Sequence, residues 1–237
     1  MPGKDADIRL GDVVVSKPTG DFGGVVQYDF GKTVARGVFE RSGRLNRPPQ
    51  ILLTAISRLQ AEGMIEASRI PEFLSEMIAV YPRMQTEFTY RGQDQDRLFD
   101  AASDHYRLLE NTCDNCETSW LVTRPTRQRH DPVIHYGLIA SGNQVMNHGG
   151  TRDKLGQELG ILCFEMEAAG LMDNFPCLVI RGICDYADSH KNKQWQGYAA
   201  ATAAAYAKEL LSVIHPNQVE ETPAVVDANL QDNSQYG

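Results

Sequence analysis

Two short stretches of the chain place carboxylates where strands end. Glu165 and Glu167 follow the apolar run 161–164 and lead into the helical Ala168-Ala169. Asp185 follows the next apolar run, 177–183, which comes after the turn signal Asn174-Phe175-Pro176. The 18 positions between Glu167 and Asp185 suffice for one right-handed crossover. Such a connection predicts both acids at C-terminal strand ends on one edge of a sheet, where open α/β sheets take ligands. Two carboxylates on one rim suit cleavage of a glycosidic bond, whose transition state resembles an oxocarbenium ion. One acid would hold sugar hydroxyls and favour the growing positive charge. The other would protonate the leaving group, provided a sheltered setting raises its pKa. The same acids would also serve as helix caps and strand-end surface groups, and spacing alone leaves the two readings level.

The elements that must position these acids are legible in outline. Val13-Val14-Val15 reads as a strand, with Gly24-Val25-Val26-Gln27-Tyr28 as its partner across the Pro18-Thr19-Gly20 turn. A strand over 33–39 would complete an antiparallel meander. Ile51, Leu52, Ala55, Ile56 and Leu59 recur at helical spacing after Arg47-Pro48-Pro49. A second helix is predicted over 71–80 and ends before Pro82. The stretch 83–130 is polar and irregular, with a short helix expected over 96–108. Then strands at 133–140, 161–164 and 177–183 alternate with helices at 152–159, 166–172 and 195–214. That alternation predicts a largely parallel sheet covered on both faces, a three-layer α/β/α sandwich. After His215-Pro216 the composition turns to Gln, Asn, Asp, Glu and Pro. The expected organisation is one domain over 1–215 and a disordered tail or linker over 216–237.

Composition narrows the class of protein. The 237 residues are 42% hydrophobic and 23% charged, with a formal net charge of −8. An acidic chain without a Lys/Arg run is a poor partner for nucleic acid, and Arg124, Arg127 and Arg129 are expected on a solvated surface. No window approaches the roughly 18 apolar residues of a membrane helix, and no apolar segment opens the chain. Five cysteines are too few, and odd in number, for a disulfide scaffold of this length, which makes the cytoplasm the expected compartment.

Cys163-Phe164-Glu165-Met166-Glu167-Ala168-Ala169-Gly170, followed by Val179-Ile180-Arg181-Gly182-Ile183-Cys184-Asp185-Tyr186-Ala187-Asp188, resembles the purine/uridine phosphorylase family. That family includes methylthioadenosine/S-adenosylhomocysteine nucleosidases. Gly137-Leu138-Ile139-Ala140-Ser141-Gly142-Asn143 resembles its strand and loop beside the base. The resemblance spans about residues 8–214 and is most specific over 133–213. In particular the chain resembles nucleoside phosphorylase domains of fungal multidomain proteins, which are often joined to nucleotide-binding switch or repeat modules.

The resemblance implies a mixed, largely parallel sheet and cleavage of the N-glycosidic bond of purine nucleosides, by phosphate or by water, with no metal or organic cofactor. It implies that Glu167 holds the ribose 2′- and 3′-hydroxyls, that Met166 packs on the sugar and that Asp185 delivers a proton to purine N7. Phe164 would contact the base, with Val145 and Met146 lining its pocket. Glu165 is carried over with them as a substrate-binding position. Ser141 and Asn143 would hydrogen-bond the base, although Ser-Gly-Asn is equally ordinary turn chemistry. The family's opening strands, helix and Gly-rich loop have no counterpart before 7–16, so the resemblance implies an N-terminally incomplete domain. Three alternatives follow: an inactive fragment, a non-catalytic nucleoside-binding or signalling module of a fungal receptor-like protein, or a site completed by a further segment or a second subunit. An open sheet edge favours a homo-oligomer.

Other residues carry weaker signals. Cys113-Asp114-Asn115-Cys116 is a lone CxxC, read first as two reduced thiols in a loop, with metal binding and redox chemistry as alternatives. Arg181, within an apolar strand, is expected to be buried and paired rather than a phosphate ligand. Asp188 is expected to shape a turn, His190 to lie in a solvated loop, and Trp195 and Tyr198 to anchor the core. The run Ala199 to Ala205 is expected to pack a helix closely on the sheet.

Overall fold

The computed structural model describes residues 6–105, 113 and 116–220. Its centre is β1 (Val13–Ser16), a β-branched strand buried along its whole length. β1 runs parallel to the first half of β5 (Ile134–Ser141), with Val13 opposite Ile134. β2 (Val25–Gln27) runs parallel to the second half of β5, with Val25 opposite Ile139. Gly137 and Ser141 of β5 accept from the Lys17 and Tyr28 N–H groups, and the Ile139 N–H donates to Gly24. β1 and β2 therefore follow one another along a single edge of β5. β6 (Ile161–Glu165) takes the other edge, also parallel, with Ser141 opposite Glu165. β7 (Ile180–Gly182) pairs antiparallel with β1. Three of these four pairings are parallel, and helices flank this mixed sheet.

Two expectations about topology need correction. The stretch 24–28 is not a hairpin partner of β1, because both strands hydrogen-bond to β5. At eight residues β5 offers more partner length than β1 covers. The antiparallel ladder lies elsewhere, between β3 (Gly31–Thr33) and β4 (Phe39–Arg41). The second correction concerns β7. It runs against β1, with Gly182 opposite Val13, so its C-terminal end lies at the start of β1 and β5. The ends of β6 and β7 do not share one rim by strand direction. The helix between them explains this. It has only five residues (α5, Ala168–Met172), about 7.5 Å, too short to carry the chain back along a sheet for a parallel re-entry.

The helices cover the sheet largely as the periodicity predicts. α1 (Gln50–Glu62), α2 (Ile70–Val80) and α6 (Gln196–Ser212) bury Ile56, Phe73 and Tyr206 against the face that carries Val13 and Val15. Trp195 and Tyr198 pack on the opposite face with Val14, Ile139, Cys163 and Ile183, and so anchor the core as expected. Burying side chains of this size contributes roughly 1.5–3 kcal/mol each. The small side chains of α6 let it lie directly on β7. A Cβ at Gly182 would collide with the Ala199 carbonyl oxygen, so Gly182 is the residue that permits the contact. α3 (Gln85–Phe88) and α4 (Gly149–Leu159) complete the flanks.

No helix forms over the described part of 96–108. Phe99 instead bridges Leu121, and 106–108 lie outside the described residues. A short α7 (Pro216–Glu220) forms where the composition suggests a tail, and 221–237 lie outside the described residues. Among the described residues no helix is long and apolar enough to cross a membrane.

Candidate active site

Phe164 from the end of β6 and Arg181, Ile183, Asp185 and Ala187 from β7 and its following loop line one narrow cleft. β6 and β7 lie at opposite margins of the strand path, so the sheet must curl to bring them together. The shared buried cluster of Val14, Ile139, Cys163 and Ile183 is the inside of that curl. Curvature does what strand direction does not: it places Phe164 and Asp185 side by side.

Asp185 is partly exposed in this cleft. One oxygen accepts the Ala187 N–H at 2.8 Å, and the other lies 3.7 Å from the Lys191 ammonium. Ala187 has φ of 53°, a left-handed conformation that costs a non-glycine residue energy and is held only when the surroundings over-determine it. Here Ala187 packs against the buried cluster that holds Tyr28 and Phe164, as Met146 also does. Phe164 meets Tyr28 edge to face at 5.6 Å. The structure thus brings together four of the residues singled out by sequence or touching them: Phe164, Met146, Asp185 and Ala187.

The Glu165-Met166-Glu167 turn is built differently. Glu165 is buried, and one carboxylate oxygen accepts the N–H groups of Glu167 and Ala168 at 2.9 and 2.8 Å. It caps the first turn of α5, as the alternative reading of these acids anticipates. Its other oxygen is buried without a hydrogen-bond partner. Met166 and Glu167 are exposed, and Glu167 accepts only the Met166 N–H at 3.1 Å. Neither lines the cleft of Asp185. Ser141 is fully buried, and its hydroxyl accepts the Ala169 N–H at 3.0 Å, fastening β5 to α5. The Asn143 N–H donates to Asp29 at 2.6 Å in an exposed turn, and Val145 is exposed beside it.

Three further expectations change. Arg181 is half-buried but makes no hydrogen bond or ion pair among the described residues, so it is not the paired structural arginine expected. Its strand lies against the cleft, where no carboxylate comes within ion-pairing distance. His190 is not solvated: its side chain is 4% exposed and stacks on Phe99 at 4.0 Å. Arg124 and Arg127 are not surface groups. Arg124 pairs with Asp96 at 2.9 Å, and Arg127 makes a two-pronged bond to Asp12 at 2.7 and 2.8 Å. His135 and the Arg9 and Val133 N–H groups complete the shell around Asp12. Only Arg129 of the three is exposed as expected.

Sequence reasoning also missed Arg152. Its buried guanidinium donates to the Tyr186 carbonyl at 2.8 Å and to Asp188 at 3.0 Å, clamping the loop that carries Asp185. Asp188 accepts the His190 N–H as well, the turn role expected of it. Arg152 lies 36 positions before Asp188, and no local pattern marks such a pair. The cysteines beside the cleft are not nucleophiles. Burial pushes the Cys163 thiol up to about 11, and burial with the neighbouring Asp185 raises Cys184.

No protein-family model matches the chain. Over 220 residues, 93% of its length, it is 44% identical to a nucleotide-binding leucine-rich repeat (NLR)-like protein of Hyaloscypha variabilis, 21% of which is covered. Over 88 residues it is 32% identical to a 5′-methylthioadenosine/S-adenosylhomocysteine nucleosidase of Mycobacterium tuberculosis, covering 35% of this chain and 34% of that one. The chain thus spans about a fifth and about a third of the length of these relatives. Among solved structures, a mutant of the Helicobacter pylori nucleosidase with 5′-methylthioadenosine in its active site aligns over 87% of this chain and 62% of its own, at 15% identity and a TM-score of 0.47. Futalosine hydrolase of the same organism aligns over the same shares at 16% identity and a TM-score of 0.44.

Proposed function

We infer that this chain is a domain of the purine/uridine phosphorylase–nucleosidase family and that its cleft cleaves the N-glycosidic bond of a purine nucleoside. The observation that carries this reading is the shared cleft of Phe164 and Asp185, an aromatic face beside a partly sheltered carboxyl. The base lies against Phe164 and Met146, and Asp185 protonates its N7 as it leaves. General-acid help of this kind is worth roughly 10²–10⁴-fold in rate. Glu167 and Met166 follow the Phe164 strand directly and take the ribose. Glu167 has no competing cationic partner among the described residues, which leaves its carboxylate available to sugar hydroxyls. The N-glycosidic carbon develops positive charge in the transition state, and that carboxylate favours it.

Arg181 marks the point where two acceptors diverge. Its unpaired guanidinium at the cleft suits an anion, which favours phosphate over water as the acceptor. The test incubates the purified chain with adenosine, inosine and methylthioadenosine, with and without phosphate, and measures free base. Turnover that disappears in Asp185→Asn supports the reading. Phosphate-dependent turnover whose phosphate KM rises in Arg181→Met supports phosphorolysis, whereas base release indifferent to phosphate assigns hydrolysis.

A second reading has its own support. The chain is similar over 93% of its length to an NLR-like protein, of which the similarity covers 21%. A module that holds a nucleoside without turnover would use the same aromatic face. Thermal stabilisation by a nucleoside, with no free base released, selects this second reading.

A further inference from the structure

Beside His190, in the loop that follows Asp185, three metal-ligating side chains converge. The ligand atoms of His105, Cys113 and Cys116 all lie within 4.8 Å of one another. The His105 Nδ1 is 3.0 Å from the Cys116 sulfur. The Cys116 N–H donates to the Cys113 carbonyl at 3.2 Å, and both sulfurs belong to the cluster. A tetrahedral ion with arms of about 2.3 Å to sulfur sets its ligand atoms about 3.8 Å apart, so this cluster needs only small shifts, with the His105–Cys116 pair opening.

A fourth group stands beside the three. The Cys113 thiol lies 3.6 Å from the His190 carbonyl oxygen, and the rings of His105 and His190 meet edge to face at 5.7 Å. The His190 side chain is almost fully buried, and its Nδ1 makes no hydrogen bond but lies 4.0 Å from the Asp188 carboxylate. A buried, unsatisfied ring nitrogen is costly unless something uses it.

We propose that His105, Cys113 and Cys116 form a structural site for a thiophilic divalent cation of the zinc class, with the His190 ring packed beside it as a positioning residue. Two sulfurs and imidazole nitrogen are the donors such an ion selects over magnesium or calcium. The site joins His105, Cys113 and Cys116 to the loop 185–191, which already receives the His105 N–H through Ser189 at 2.8 Å. The bound ion therefore holds the loop on which Asp185 stands next to the Arg152 clamp, since Asp188 touches both Arg152 and His190. It takes no part in bond cleavage.

The experiment uses the full chain, purified with reductant and without chelator. Metal content is measured by mass spectrometry, and the zinc is then exchanged for Co2+, whose visible absorption reports tetrahedral thiolate ligation. About one equivalent per chain is expected, with sulfur-to-cobalt charge transfer. Cys116→Ser and His105→Gln should lose it. His190→Ala, which removes a ring packed beside the site, should weaken binding by roughly 10–100-fold. Cys177→Ser, distant from the cluster, should bind like the parent. Chelator should lower the melting temperature of the parent and leave that of Cys116→Ser unchanged, a readout that does not depend on the variants folding equally well. A parent chain that takes up neither zinc nor cobalt overturns the site. So does equal binding by Cys116→Ser, or a Cys113–Cys116 disulfide in metal-free protein, which would make the pair a redox couple.

Discussion

The two loops that carry the candidate acids are held in opposite ways. The Glu165-Met166-Glu167 turn is fixed by bonds to its immediate neighbours, through Glu165 to Glu167 and Ala168. Its outer residues, Met166 and Glu167, face solvent. The Asp185 loop is fixed from far along the chain. Arg152 holds Asp188 and the Tyr186 carbonyl, Phe99 stacks on His190, and the Tyr186 hydroxyl bonds Asp96. A locally built turn is cheap to encode and tolerates change around it. A loop held by remote groups can keep a strained residue such as Ala187 in place, and with it a fixed carboxyl direction. On the function proposed above, ligand capture falls to the open turn and proton delivery to the rigid loop.

The strongest way to break this division is Asp185→Asn. Base release should fall by roughly 10²–10⁴-fold while nucleoside binding, read by thermal shift, persists. Equal loss in binding and turnover would place Asp185 in capture instead. Next comes the clamp. Arg152→Met leaves the buried Asp188 carboxylate without its partner and should cost about 3–5 kcal/mol in urea unfolding. A cost under 1 kcal/mol would mean that the loop is held by its aromatic contacts alone. Gly182→Ala should cost about 1–3 kcal/mol, because α6 must lift from β7. Glu165→Ala removes a local cap and should cost roughly 0.5–2 kcal/mol, less than the remote clamp if the comparison holds.

The smallest effect concerns acid. Burial works against the Asp12 carboxylate, but bonds from Arg127 and His135, the Arg127 charge and the Val133 N–H outweigh it and hold its pKa below the ordinary 3.8. A carboxyl depressed on folding contributes stability that is complete above its unfolded pKa and lost as pH falls through the folded one. Unfolding free energy should therefore decline below about pH 4, and Asp12→Asn should flatten that slope. An unchanged slope in the variant would assign the acid sensitivity to other carboxylates.

The primary structure by itself determined the elements and the residue types of the site. The apolar runs at 134–141 and 161–165, the helical spacing of 50–62 and 196–212, and the Phe164–Glu167 and Asp185 motif are local patterns, legible because neighbours in sequence are neighbours in a strand or helix. The tertiary structure alone decided which strands pair, that β7 runs against β1, and that curvature rather than strand direction unites Phe164 with Asp185. It also decided which charges are buried. Arg127 meets Asp12 across 115 positions and Arg152 meets Asp188 across 36. His105 meets Cys116 across a shorter gap of 11, yet their spacing matches no ligand pattern. Such partners share no period and no motif. Their identity follows from which surfaces the sheet brings together once the core around Val14, Ile139 and Trp195 has closed.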